Sequence, residues 1–272
     1  MAGDKWSAER LLTASGTIEG LIDLAKPASW GPVELWPENG EVHFRVALDI
    51  TDRVDEEMEQ LIDRVAPAIE AAVAANCGAS VRVHLLDHSY PHRTGSLNAV
   101  GKRLTLSSST RVAVNMDPKS DRGQHTLEAL LDGADLRLAK LYEVYLLGLR
   151  AIQTVAPVVG LCAFSAVIEE EVIEKARRKK GEDAQSLKHV PRLIDDLRQK
   201  GHSIPESPSG RNAASIRTAA LHAPKQLERP NPPPTVAEID WFRQIADAYL
   251  VDRATLTKAK SKVSSLRTQG PL

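Results

Sequence analysis

Cysteine is nearly missing from this chain. Cys77 and Cys162 are the only two in 272 residues, and neither stands in a C-x-x-C or Cys/His spacing. That excludes a disulfide framework and points to a reducing, cytoplasmic setting. Long apolar runs are missing as well. The most apolar stretch, Thr154 to Ile168, contains Pro157 and Gly160, and its about 15 residues fall short of the ~20 a membrane span needs. MAGDKWSAERLLTASG, at the N-terminus, lacks a basic start leading into an apolar run, so no secretion signal is expected. Neither G-x-x-x-x-G-K-[ST], G-x-G-x-x-G, G-x-S-x-G nor H-E-x-x-H occurs. Nucleotide-hydrolysing and zinc-peptidase chemistry therefore have no residues to stand on, and no cofactor is expected.

Net charge is also lacking overall, at −1, but it is unevenly spread. Residues 175–272 hold 19 Lys/Arg against 10 Asp/Glu, a net of +9, which leaves −10 for the remainder. A basic C-terminal part suits a polyanion such as RNA, because phosphate neutralisation dominates nucleic-acid affinity. A solvated bundle surface carries the same signature. A chain of this length most simply makes two domains.

Apolar periodicity sets the boundary between them. GTIEGLIDL (16–24) and VELW (33–36) alternate loosely, and EVHFRVALDI alternates cleanly from Glu41 to Ile50. Asn39-Gly40 between two such runs predicts a hairpin. From Thr51 the period changes. Met58, Leu61, Ile62, Val65, Ile69 and Val73 recur at three and four, the spacing of a helix laid on a sheet. Pro67 is expected to kink or divide that helix, and Asn76-Cys77-Gly78 to end it. SVRVHLL (80–86) reads as a further strand, and Gly101–Met116 as one long strand or a hairpin. Residues 1–118 are thus expected to form a small antiparallel sheet with one main helix.

Beyond Pro118 the pattern is helical, so the fold class is α+β with a C-terminal all-α helical bundle over 119–272. LEALL (127–131) is expected to begin it; 134–151, 158–180, 183–199 and 211–221 follow. The charge run EEEVIEKARRKK reads as a solvated face. Thr235 and Glu238 make a capping box for a last helix with Ile239, Phe242, Ile245, Ala246, Tyr249 and Leu250 inward. The tail SKVSSLRTQGPL is expected to fray.

Two groupings carry chemistry. His84, His88 and His92 recur every four residues, which on a helix would make one metal-binding face. The run reads as strand, where histidines at a strand end are ordinary surface residues; the two nearer ones share a face only if the strand continues that far.

The second grouping is SIRTAALHAPK (215–225), where Arg217 and His222 stand five apart just before Ala223-Pro224. RNA carries its own nucleophile, the 2′-OH, so cleavage needs proton transfer and stabilisation of a dianionic phosphorane. Histidine moves protons near neutrality and arginine offers a planar donor fork to phosphate oxygens. Five residues turn a regular helix by about 500°, so the pair points about 140° apart and converges only where the helix ends. Pro224 imposes such an end.

An arginine, four residues and a histidine in the penultimate helix of a bundle, followed by proline and the stiff segment LERPNPPP, resembles the HEPN superfamily over roughly 123–256. Members are often metal-independent ribonucleases of toxin and antiviral systems; others are inactive binding or scaffold modules. The resemblance implies Arg217 on the scissile phosphate and His222 as general acid/base. It also implies a homodimer whose protomers share a composite cleft, with an antitoxin or defence-system partner protein conceivable. Thr218 stands where the family commonly has Asn, Asp or His, and Ala223 separates His222 from the proline. Glu143 is the candidate for the family's acidic residue on the first bundle helix. Arg211, Asn212 and Lys225 are further candidates for phosphate contacts. Arg217 can equally serve as an ion-pair partner of the acidic first helices, the reading that goes with a non-enzymatic scaffold.

Overall fold

The computed structural model describes residues 11–20, 22–50, 55–90, 93–96, 114–117, 121–133, 135–154, 156–178, 190–221 and 232–268. Its architecture is α+β, as the change of apolar period requires, and the chain divides into two compact units, Met1–Ala134 and Asp135–Leu272.

Unit 1 is built on β1 (Leu11–Gly20), β2 (Ile22–Asp23), β3 (Ala28–Trp30), β4 (Val33–Glu38), β5 (Glu41–Asp49), β6 (Val81–Tyr90), β7 (Arg93–Ser96) and β8 (Val114–Asn115). Six strands form one antiparallel sheet in the order β3-β4-β5-β1-β6-β7, while β2 and β8 pair separately and in parallel. The hairpin falls where Asn39-Gly40 predicts it. Glu38 faces Glu41 across the turn, and φ is 52° at Asn39 and 79° at Gly40, the two left-handed residues that let strand twist continue through a two-residue loop. Leu12, Ala14 and Ile18 of β1 and Val42, Phe44 and Val46 of β5 are buried on the face so formed. Of the expected 101–116 strand, residues 101–113 lie outside the described residues.

Helix α1 (Asp55–Cys77) buries Met58, Leu61, Ile62, Val65, Ile69 and Val73, the row its spacing predicts. Pro67 does not divide it: the helix is one 23-residue element. The ring lies on the exposed side, where water can serve the carbonyl that loses its N–H partner. From Ala71 to Ala75 every residue is buried, because β6 lies against one side of α1 and α2 (Asp121–Asp132) against another. Helix α2, which a division at Pro118 would assign to the bundle, thus belongs to unit 1. Asn76 closes the arrangement: its side-chain amide donates to the Asp117 carbonyl at 2.8 Å and accepts from the Asp117 N–H at 3.0 Å.

Among the described residues of unit 2 every element is a helix: α3 (Leu136–Gln153), α4 (Pro157–Arg178), α5 (Val190–Gln199), α6 (Ala213–Leu221) and α7 (Val236–Thr268). Residues 179–189, where the sequence places the start of the third bundle helix, lie outside the described residues. Helix α4 is central and packs against all four others, with Leu161, Phe164, Val167 and Ile168 fully buried. Of the apolar stretch from Thr154 to Ile168, the part from Gly160 onward supplies the core while Val158 and Val159 stay exposed, and no helix among the described residues is long and apolar enough to cross a membrane. Asp135 caps α3 by accepting from the backbone N–H of Arg137 and Leu138, and Arg253 of α7 holds the same carboxylate at 3.0 and 3.2 Å. Burial opposes ionisation of Asp135, but those hydrogen bonds outweigh it and lower its pKa. The tail expected to fray from Ser261 is helical to Thr268. A core-anchored helix propagates without paying for nucleation, and no Gly or Pro interrupts it before Gly270.

Candidate functional site: two arginines at helix α6

Helix α6 begins where Asn212 caps it. Its Oδ1 accepts from Ser215 N at 2.8 Å and its carbonyl from Ile216 N at 3.1 Å. Ala213, Ile216 and Ala219 are buried, and the face they form sits against α4. Thr218 and Leu221 stay exposed. The helix's last described residue is Leu221; His222 and Lys225 lie outside the described residues.

Arg211, one residue before the cap, is enclosed. Its Nε donates to Glu238 Oε1 at 2.7 Å, Nη2 to Oε2 at 2.5 Å and Nη1 to the Pro232 carbonyl at 2.8 Å. Glu238 is 0% exposed. It also accepts from the Ser209 hydroxyl and from Thr235 N at 2.8 Å, and its own N–H donates to Thr235 Oγ1 at 3.2 Å. The capping box is thus present, with an arginine added. Burial alone would raise the Glu238 pKa; hydrogen bonds from Arg211, Ser209 and the Thr235 backbone prevail and bring it down to about 2. Arg211 accordingly ties the segment before α6 to the start of α7, and Asn212 is engaged in capping α6.

Arg217 is differently placed. Its Nε stands 2.9 Å from Glu169 Oε1 and its Nη2 donates to Oε2 at 3.3 Å, while the side chain keeps 38% of its surface in water. Glu169, on α4, is 16% exposed. Burial pushes its carboxyl above the usual range and Arg217 only partly offsets that. Among the described residues Glu169 is the partner of Arg217; Glu143 sits on the exposed side of α3. Sequence reasoning missed Glu169 by treating EEEVIEKARRKK as solvated throughout. The signal was the i, i+4 row Leu161, Ser165, Glu169, which carries the carboxylate onto the side of α4 that begins with two buried residues.

The histidine grouping does not converge. Strand β6 runs through both His84 and His88, but its pairing with β1 shifts register between Ser15 and Gly16. His84 then pairs with Thr17 and His88 with Ala14, so a bulge at Leu86 puts the two on opposite faces. A Cβ at Gly16 would overlap the His84 carbonyl, which is why the close approach at the bulge takes glycine. His84 Nε2 lies 2.9 Å from Glu19 Oε2, His92 is outside the described residues, and no group of three potential metal ligands occurs among those described.

These features define an α+β unit followed by a helical unit that carries an arginine–glutamate pair on the contact between α4 and α6. No family model, curated protein or solved structure matches the chain.

Proposed function

We propose that unit 2 is a metal-independent endoribonuclease domain of HEPN-like type, acting as a homodimer in a defence or toxin system. Arg217 would bind the scissile phosphate and His222 would serve as general acid/base. One observation carries the reading: of Arg211 just before α6 and Arg217 within it, Arg217 is the one whose side chain keeps 38% of its surface in water. Its guanidinium plane is fixed by a carboxylate on the neighbouring helix. Such a clamp removes side-chain freedom before substrate arrives and, among the described residues, engages Nε and Nη2 rather than Nη1, the nitrogen that would meet a phosphate oxygen. The mechanism is attack of the 2′-OH on phosphorus with loss of its proton to a base. Arg217 offsets the phosphorane charge, and a proton goes to the departing 5′-oxygen from an acid. One histidine per chain leaves one of these proton roles to the second protomer, which a two-fold contact supplies. The basic C-terminal charge favours such a substrate.

The test is incubation of the protein with mixed RNA in EDTA beside Arg217→Ala and His222→Ala. Each substitution is expected to lower the rate at least about 100-fold, the effect of deleting one charge-stabilising or proton-transferring group. Equal cleavage by all three proteins would refute the assignment.

The same ion pair also favours a second reading. The Arg217–Glu169 pair engages the arginine with no ligand at all, as it would in a scaffold that docks a partner through the bundle. Growth on expression separates the two: toxicity relieved by His222→Ala excludes the scaffold, whereas a biological effect indifferent to His222→Ala but lost with the bundle surface excludes the nuclease.

A further inference from the structure

The sheet of unit 1 has one face in the core and one turned to water. Along β1 the even-numbered residues from Leu12 to Ile18 are buried and the odd-numbered ones from Leu11 to Thr17 are half-buried; β5 alternates in the same phase from Glu41 to Val46. The register carries the water-facing side across four strands. Trp36 of β4 pairs with His43 of β5, His43 with Thr17 of β1, and Thr17 with His84 of β6, a row about 14 Å long at ~4.8 Å between strands.

An antiparallel sheet commonly gives one face to water, and the side chains expected there are polar. This face instead sets an indole and two imidazoles in one row. The Trp36 and His43 rings stack at 5.8 Å with 18° between their planes, and Trp36 Nε1 donates to Glu38 Oε2 at 3.2 Å. The indole is thus held in place while part of it stays in water. His84, at the far end, is held by Glu19.

Charge decides what can lie on such a surface. On one side of the row Glu34 faces Arg45, which faces Ser15 and then Asp87. On the other, Glu38 faces Glu41 and Glu19 faces Arg82. Five carboxylates thus stand beside two arginines, and along β4 the indole lies between two of the exposed ones, Glu34 and Glu38. That sign repels a phosphate backbone and an anionic bilayer alike. It attracts cations, and an indole is the best aromatic seat for a guanidinium or an ammonium. An arginine would also bring a planar fork to the carboxylates beside the ring.

We propose that this face, centred on Trp36, docks a Lys/Arg-rich segment of a partner protein, one cation of which stacks on the indole between Glu34 and Glu38. No residue of unit 2 takes part, so the surface is independent of the ribonuclease reading.

The test follows a fluorescein-labelled octa-arginine peptide by anisotropy across salt concentrations, with the full-length protein, W36L, E34Q/E38Q and a charge control at two exposed positions of α1, E57Q/D63N. W36L is expected to bind about 2- to 30-fold more weakly, the worth of one cation–π contact. E34Q/E38Q should weaken binding by a similar factor and flatten its salt dependence, while E57Q/D63N stays near wild type. If urea unfolding shows W36L to be unfolded, the glutamine pair carries the comparison. Binding by E34Q/E38Q equal to wild type would overturn the proposal, as would an equal loss in E57Q/D63N, which would reduce the effect to bulk charge. A 2′-O-methyl single-stranded RNA released by W36L in place of the peptide would make the face a nucleic-acid platform. Self-association in the ultracentrifuge that W36L abolishes, with the peptide bound as before, would make the occupant a second copy of this chain. Either result also overturns the proposal, whereas RNA cleavage at the wild-type rate by a W36L protein that has lost the peptide supports it.

Discussion

Two arginines six residues apart meet two glutamates, and the contrast separates a fastening from a site. Around Arg211 the Glu238 carboxylate accepts from the guanidinium, the Ser209 hydroxyl and the Thr235 N–H, it has no exposed surface, and its pKa falls to about 2. Around Arg217 the partner carboxylate makes one ion pair, its pKa rises, and the guanidinium keeps more than a third of its surface in water. A carboxylate that accepts several hydrogen bonds stabilises the folded chain through its charge; one that is buried with few of them is held there at some cost. Groups of the second kind gather at functional sites.

The largest expected effect tests the fastening. Depression of the Glu238 pKa from 4.5 to about 2 corresponds to about 3 kcal/mol of folding free energy. Removing one member of a buried pair costs ~3–5 kcal/mol. Glu238→Ala is therefore expected to lose that much stability in urea unfolding. Because its folded pKa lies below the unfolded one, the contribution is complete above pH 4.5 and disappears as pH falls toward about 2. The wild-type advantage over Glu238→Gln should shrink across that window, and an advantage that stays constant there would show the pair to be incidental.

A smaller effect belongs to the start of α6. Asn212→Ala removes the cap that Ser215 N uses and is expected to cost about 1 kcal/mol, by the same unfolding measurement. If α6 presents Arg217, cleavage should fall with it; a destabilised helix with full activity would detach the arginine from the chemistry.

Legibility in the sequence followed the range of the interaction. The Asn39-Gly40 turn, the α1 row from Met58 to Val73 and the Thr235/Glu238 capping box depend on neighbours within a few positions, and each is found as its spacing predicts. What pairs with Arg211 and Arg217 lies 27 and 48 residues away, and no local pattern states those distances. The sequence ranks Arg217 above Arg211 only through the motif, not through any sign of which carboxylate each one meets. The bulge at Leu86 is another long-range matter: it depends on how β1 meets β6, and a single extra residue reverses which face His88 occupies. The place of α2 turned on the Ala-rich second half of α1, whose all-round burial shows only once a second helix covers it.

The smallest expected effect is the most discriminating. Glu169→Gln keeps the size of the side chain and removes its charge, and a half-exposed Arg217 left without a partner finds water. Stability at neutral pH is thus expected to move by no more than about 1 kcal/mol, the range of a solvent-screened pair. The sign with pH is opposite to that of Glu238. Here the folded pKa is raised, so the carboxyl's contribution is fully present below its unfolded value and is lost as pH rises through the folded one. Glu169→Gln should therefore gain on wild type as pH increases, where Glu238→Gln loses ground on the same axis. Two glutamates with equal pH signatures would mean that Arg217 is fastened as Arg211 is, and the case for a phosphate-binding arginine on α6 would fall with that result.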